Sequence, residues 1–256
     1  MKILHNELIV RKIKNDLSQY SNKERVKISK RYFKTGKGEY GEGDIFIGVT
    51  TPNIKKVIKS YKNIPLKIIN KLIKSKVHEE RTTALAILVN QYQKSDSKKQ
   101  KGVFNLYLKN TKYINNWDLV DISASKIVGK YLFDNQHCTT TFKGASFKGK
   151  ELLVKLAGSE NLWERRIAVI STYYFIQHNR YIETIEISKI LLGDKHDLIH
   201  KAVGWMLREV GKRDLKTEIV FLDKYAKKMP RTCLRYAIEK FSEETRKKYL
   251  LIASHN

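Results

Sequence analysis

The stretch His200-Lys201-Ala202-Val203-Gly204-Trp205-Met206-Leu207-Arg208-Glu209-Val210 sets the reading of the chain. Val203, Met206, Leu207 and Val210 fall on one stripe of a helical wheel, which predicts an amphipathic helix. Trp205 lies well away from that stripe. It is either covered by another helix or presented to a partner. Gly204 stands three positions after the charged Lys201, and the same spacing recurs upstream. Arg81…Ala84, Asp121…Ala124 and Arg165…Ala168 fall into register with it, the small residues being 40, 44 and 36 residues apart. Ala237 follows 33 residues after Gly204, with Leu234 in the polar position.

Two helices that approach closely need a small residue at the crossing. A period of this length belongs to solenoids of helical pairs of the HEAT type, in which each pair buries its apolar face against its neighbours. The expected fold is therefore all-α, a curved solenoid of HEAT-like helical repeats. A single domain is expected over 1–256, with its concave face as the binding surface. Only three prolines occur, Pro52, Pro65 and Pro230, each where a helix would begin or two helical segments meet. Clean strand alternation is absent. The glycine-rich segment 35–50 reads as a structural turn, because the Lys-Ser/Thr ending of a phosphate loop is missing and Glu39, Glu42 and Asp44 would repel phosphate. Segment 134–150 breaks the rhythm and reads as an inter-repeat loop.

The charge balance narrows the partners. Lys plus Arg number 51 against 26 for Asp plus Glu, a formal net charge of +25. A surplus of that size repels itself unless an anion neutralises it. Nucleic acid is the first expectation and an anionic membrane surface the second. No amphipathic segment concentrates the charge beside an apolar anchor, and no run of about 18 apolar residues exists, so no membrane partner is expected. Cys138 and Cys233 are far apart, which suits a reducing compartment and gives neither a disulfide framework nor a metal site. The N-terminus becomes charged before a signal-peptide core could form. A cytoplasmic, monomeric protein without cofactor or metal is expected, nucleoid-associated when bound to DNA.

Two further stretches carry candidate chemistry. Asn115-Asn116-Trp117-Asp118-Leu119-Val120-Asp121 reads as a helix start, with an Asn placed to accept from the free N–H groups of the first turn. Trp117 and Asp121 then lie one turn apart on one face. The helix opened by Trp163-Glu164-Arg165-Arg166 is apolar nearly all round through Ile176, which marks it as central. Arg165 and Arg166 either reach solvent or phosphate or form salt bridges to a neighbouring repeat. No Ser/His/Asp set is visible, and the seven His are scattered.

Taken in order, Arg31-Tyr32-Phe33, Gly41 to Pro52, His78-Glu79-Glu80-Arg81, Trp117 to Asp121, Trp163 to Arg166 and Lys201 to Glu209 resemble the DNA alkylation repair enzymes of the AlkD family, which are HEAT-like-repeat DNA glycosylases. The resemblance spans roughly residues 30–240; segment 134–150 looks longer than in some relatives. It implies excision of cationic N3- or N7-alkylated purines from double-stranded DNA. The catalytic carboxylate of the family falls on Asp121, its lesion-facing tryptophans on Trp117 and Trp205, and its active-site arginine on Arg166. Tyr32 falls near the lesion, and Arg165, Lys201 and Arg208 are expected on the DNA-contacting face. A helical-repeat DNA-binding protein without catalysis is the competing expectation.

Overall fold

The computed structural model describes residues 2–252. The chain gathers into two compact units, Met1–Ser123 and Ala124–Asn256. The first holds α1 (Lys2–Ser18), α2 (Lys23–Tyr32), α3 (Thr51–Lys59), α4 (Leu66–Ile73), α5 (His78–Gln93), α6 (Ser97–Lys109) and α7 (Trp117–Ala124), whose last residue passes the boundary. The second holds α8 (Lys130–Asp134), strands β1 (Thr139–Phe142) and β2 (Ala145–Lys148), then α9 (Lys150–Ala157), α10 (Leu162–Gln177), α11 (Ile182–Leu191), α12 (Asp197–Gly211), α13 (Leu215–Tyr225), α14 (Arg231–Ala237) and α15 (Glu243–Ile252). A π-helical turn over Ser125–Gly129 precedes α8. The fold is all-α but for this one hairpin among the described residues.

The prolines stand where expected. Pro52 lies in the first turn of α3, and Pro65 and Pro230 are the residues before α4 and α14. Asn side chains start two of the other helices, α2 and α10. Asn22 accepts from the Arg25 N–H ahead of α2, and Asn161 accepts from Trp163 and Glu164 ahead of α10.

The small residues of the sequence register all lie inside. Ala84, Ala124, Ala168 and Ala237 are fully buried. Gly204 sits where α12 packs on α14: a Cβ there would lie 2.3 Å from the Cys233 carbonyl oxygen and 2.6 Å from the Tyr236 Cβ. The predicted stripe of Val203, Met206, Leu207 and Val210 is buried on α12.

The turns entering α5 and α10 are built alike. Ser75 Oγ accepts from the Val77 N–H, and Arg81 Nη1 donates to the Ser75 carbonyl at 2.9 Å. Ser159 Oγ accepts from the Asn161 N–H, and Arg165 Nη1 donates to the Ser159 carbonyl at 3.0 Å. Both arginines therefore clasp the loop six residues behind them. Ahead of α12 the Asp194 side chain takes the serine's part, and His200 Nε2 bonds the Asp194 carbonyl at 2.5 Å.

Segment 134–150 differs from the loop expected of it. Its middle is an antiparallel hairpin pairing Thr139 with Lys148 and Phe142 with Ala145. The two-residue turn is Lys143-Gly144, both at positive φ, the backbone that matches the twist of flanking strands. Only Thr140 and Phe142 of β1 point inward, an alternation too short to register as a pattern in the sequence.

The close crossing at Gly204 is open to measurement. Gly204→Ala is expected to lose about 1–3 kcal/mol of unfolding free energy in urea, because neither the carbonyl nor the neighbouring Cβ can withdraw. Gly193, with nothing within 4 Å of an added Cβ, serves as the control, and Gly193→Ala should fall within about 0.5 kcal/mol of wild type.

Candidate functional site

The first unit places Trp117 at the start of α7 and ties down the residues on both sides of it. Asn116 is fully buried; its Oδ1 accepts from the Trp117 N–H at 2.8 Å, and its Nδ2 donates to Asp44 at 3.4 Å. Asp118 accepts from His78 Nε2 at 2.8 Å. The other ring nitrogen of His78 faces Asp44 at 3.2 Å, and Arg81 Nη2 donates to Asp44 at 2.7 Å. One buried imidazole thus bridges two carboxylates that lie on either side of it in sequence.

A column of rings runs from this cluster toward solvent. Phe46 stacks on His78 at 4.6 Å between centroids, Phe33 lies against His78 at 4.9 Å, and Phe33 stacks on Trp117 at 5.4 Å and 26°. Tyr32 meets the Trp117 ring edge-on at 5.6 Å, and Tyr32 is 63% exposed. Trp117 is half-buried, as is Asp121 one turn further along α7. Burial pushes the Tyr107 hydroxyl well above its ordinary pKa, and the charge of Asp121 adds to the push against the Ser123 hydrogen bond. The Tyr107 phenol lies 3.1 Å from Ser123 Oγ.

The glycine-rich segment holds the far end of the column. The buried Glu79 carboxylate accepts from the Gly48 N–H at 2.7 Å and from the Ile47 and Val49 N–H groups at longer range. Gly48 has φ +78, and a Cβ there would lie 2.3 Å from the Asn22 carbonyl. The segment is a structural turn whose backbone donors already hold a carboxylate of the protein.

Burial and hydrogen bonding act on the cluster in opposite directions. Burial alone would raise the Asp44 pKa, but the His78 hydrogen bond and the Arg81 charge outweigh it and hold the carboxyl below its ordinary value of 3.8. Burial would lower the His78 pKa, but the hydrogen bonds to Asp118 and Asp44 outweigh burial and the Arg81 charge, so His78 is raised above 6.5.

The second unit holds the other expected residues. Trp205 is half-buried on α12, its ring 6.3 Å from Tyr173. Arg166 is only 5% exposed and donates to the Leu198 carbonyl in the first turn of α12 at 2.5 Å. Arg165 donates to Asp194 at 2.6 Å and to the Ser159 and Glu160 carbonyls. Of the two uses open to these arginines from sequence, both make bonds within the protein. Lys201 pairs with Asp197 at 2.6 Å, and Arg208 pairs with Glu239.

Tyr32, Trp117 and Asp121 therefore lie in the first unit, and Arg165, Arg166, Lys201, Trp205 and Arg208 in the second. Sequence reading missed Asp44, His78 and Asp118 as a set. Their separations of 34 and 40 residues hide the contact, although His78-Glu79-Glu80-Arg81 stood out as a stretch. Among the described residues no group of His, Cys, Asp and Glu is placed to hold a metal ion, and no helix is long and apolar enough to cross a membrane.

A family model described as DNA alkylation repair enzyme matches residues 13–241. A solved structure described as a predicted DNA alkylation repair enzyme from Enterococcus faecalis is similar in fold, with a TM-score of 0.63 and 16% identity. That likeness covers 87% of this chain and 97% of the other. No curated protein matches.

The depressed Asp44 carboxyl has a consequence for stability. A carboxyl whose folded pKa lies below its unfolded one stabilises the fold fully above the ordinary carboxylate range, and that stability is lost as pH falls through the depressed value. Asp44→Asn should cost about 3–5 kcal/mol at neutral pH, since it leaves the buried Arg81 without its anion. Its urea midpoint should also fall less steeply than that of wild type below about pH 4.

Proposed function

This chain belongs to the DNA alkylation repair enzyme family, and we propose that it is a DNA glycosylase of the AlkD type, releasing cationic N3- or N7-alkylated purines from duplex DNA. One observation carries the reading. Trp117 and Asp121 stand half-exposed one turn apart on α7, with Tyr32 set against the Trp117 ring, in a chain of net charge +25.

The chemistry suits these groups. A purine alkylated at N3 or N7 carries a positive charge and is already a good leaving group. The C1′–N bond breaks with its electron pair on the base, which departs neutral. Positive charge develops on the deoxyribose, and water supplies the oxygen to C1′ while its proton passes to Asp121 or to solvent. The enzyme needs a fixed negative charge near the sugar and no acid for the base. Asp121 supplies that charge and orients the water. Trp117 and Trp205 offer electron-rich faces to the cationic nucleotide.

The basic residues divide by their surroundings. Lys201 and its partner Asp197 are both substantially exposed, and an exposed pair is worth about 0–1 kcal/mol, so phosphate competes for Lys201 readily. Arg208 serves phosphate in the same way from a more covered position. Arg165 contacts the backbone only by giving up part of its hold on Asp194. Arg166, being covered, serves by fixing the start of α12, the helix that carries Trp205.

Purified protein incubated with methylated DNA should release 3-methyladenine or 7-methylguanine, detected by chromatography of the freed bases. Asp121→Asn should lower the single-turnover excision rate by roughly 10²-fold or more while leaving DNA affinity in place. Full excision by that variant would remove Asp121 from the chemistry, and no released base from wild type would leave DNA binding without catalysis as the function. Affinity for duplex DNA should fall by about 0.9 log units per log unit of salt for each phosphate neutralised, read from a binding titration across salt concentrations.

A further inference from the structure

We propose that His78 is a positioning residue: clamped between Asp44 and Asp118, its ring fixes the first turn of α7 and so sets the orientation of Trp117 toward a bound nucleotide. The proposal deepens the glycosylase reading above and rests on it for its consequence in catalysis. Its structural content stands on the geometry of the first unit alone.

Trp117 opens its helix, so the first turn of α7 has no preceding helical turn to hold its direction. Its first turn is held from outside. Asp118, next to Trp117, bonds His78 Nε2 at 2.8 Å. Asn116, on the other side of Trp117, reaches Asp44 at 3.4 Å. Asp44 and Asp118 both converge on the one imidazole, which is 2% exposed. The ring also takes part in packing: it contacts both Phe46 and Phe33, which stack on each other at 5.1 Å, and Phe33 in turn stacks on Trp117. His78 therefore acts on Trp117 by two routes, through Asp118 to its backbone and through Phe33 to its ring.

The bridge is complete only for an imidazolium. A charged ring donates from both nitrogens, whereas a neutral ring donates from one, so one carboxylate would lose its hydrogen bond and both would lose the positive charge between them. The charged groups facing the ring are Asp44 from the glycine-rich segment, Asp118 from α7 and Arg81 from its own helix; the residue after α2, Phe33, offers its ring and no charge. Asp44 keeps Arg81 when the ring turns neutral. Among the described residues Asp118 has no such second cation, and its Oδ1 is buried without a hydrogen bond. Loss of the ring charge therefore falls on α7. Because the His78 pKa is raised, the tie is charge-assisted below the ordinary histidine pKa and is weakened as pH rises through the folded value.

The test uses the whole chain labelled with fluorotryptophan, the Trp117 fluorine resonance being identified by its absence in Trp117→Phe. Spectra and single-turnover excision of 7-methylguanine are recorded from about pH 5 to about pH 9, a range that spans histidine titration. The Trp117 resonance of wild type should move in one step centred above the ordinary histidine pKa, and excision should fall over the same step. In His78→Gln the step should vanish and excision should drop roughly tenfold, with DNA affinity at low salt unchanged. Asp118→Asn, which cuts the same tie from the α7 side and keeps the ring, decides the matter if His78→Gln does not fold. A Trp117 step that persists in the variants, or variants that excise at the wild-type rate with the same pH profile, overturns the proposal. A Trp117 step governed by His78 in a protein that releases no base at any pH upholds the positioning role and overturns the glycosylase reading instead.

Discussion

The first unit hangs on four consecutive polar residues that are almost wholly buried. His78, Glu79, Glu80 and Arg81 open α5 at exposures of 2%, 4%, 6% and 3%. A buried charge without a partner costs several kcal/mol, so each of the four must find one, and each finds it outside α5. His78 takes Asp118 of α7, Glu79 takes three backbone N–H groups of the glycine-rich segment, Glu80 takes Lys14 of α1 at 2.9 Å, and Arg81 takes Asp44 and the Ser75 carbonyl. One helical turn therefore fixes α1, the glycine-rich segment and α7 together. Apolar packing alone would leave the orientation of those elements less defined, because hydrophobic contact has no preferred direction.

The second unit uses the same device at the start of α10. Glu164 is 2% exposed and accepts from Lys143 of the hairpin turn at 2.8 Å and from Ser159 Oγ at 2.6 Å. Arg165 holds Asp194, and Arg166 holds the Leu198 carbonyl. Lys143 reaches Glu164 because the hairpin projects it there, which gives the hairpin a structural use. The recurrence also refines the repeat register. Arg81 and Arg165 each donate to a carbonyl six residues back, and at α12 it is His200, one residue ahead of Lys201, that bonds the carbonyl six residues back. The sequence spacing found the helices and the small crossing residues, but charge alone could not tell His200 from its neighbour.

What was legible in the sequence follows from range. Helix starts depend on one or two neighbouring residues, so the prolines and the Asn ahead of Trp117 could be read directly. The burial of Ala84, Ala124, Ala168 and Ala237 followed from spacing, since a helix repeats its face every few residues. The half-buried state of Trp205 agrees with its place off the apolar stripe. The Asp44–His78–Asp118 bridge was hidden because nothing local in any of the three residues signals a partner 34 or 40 positions away. The hairpin was hidden for the opposite reason: β1 and β2 are four residues each, too few for a period of two to stand out.

The same accounting bears on Asp121. Acidic residues are the minority in this chain, 26 against 51 basic ones, and those traced above are mostly committed inside. Glu79, Glu80 and Glu164 each neutralise a buried donor or cation, Glu183 pairs with Arg180, and Glu218 is pushed up to about 8 by burial, against the Arg208 charge, so it carries little charge at neutral pH. Internal commitments of this kind leave a large lysine surplus facing solvent, where a polyanion lowers its free energy most. Asp121 differs from these acids in being half-exposed beside aromatic surface, on a helix whose first turn is tied by Asn116 and Asp118. A carboxylate there repels the phosphates that the rest of the surface attracts. In the glycosylase reading, that repulsion is offset by the positive charge that arrives with the alkylated purine and develops on the sugar from which it departs.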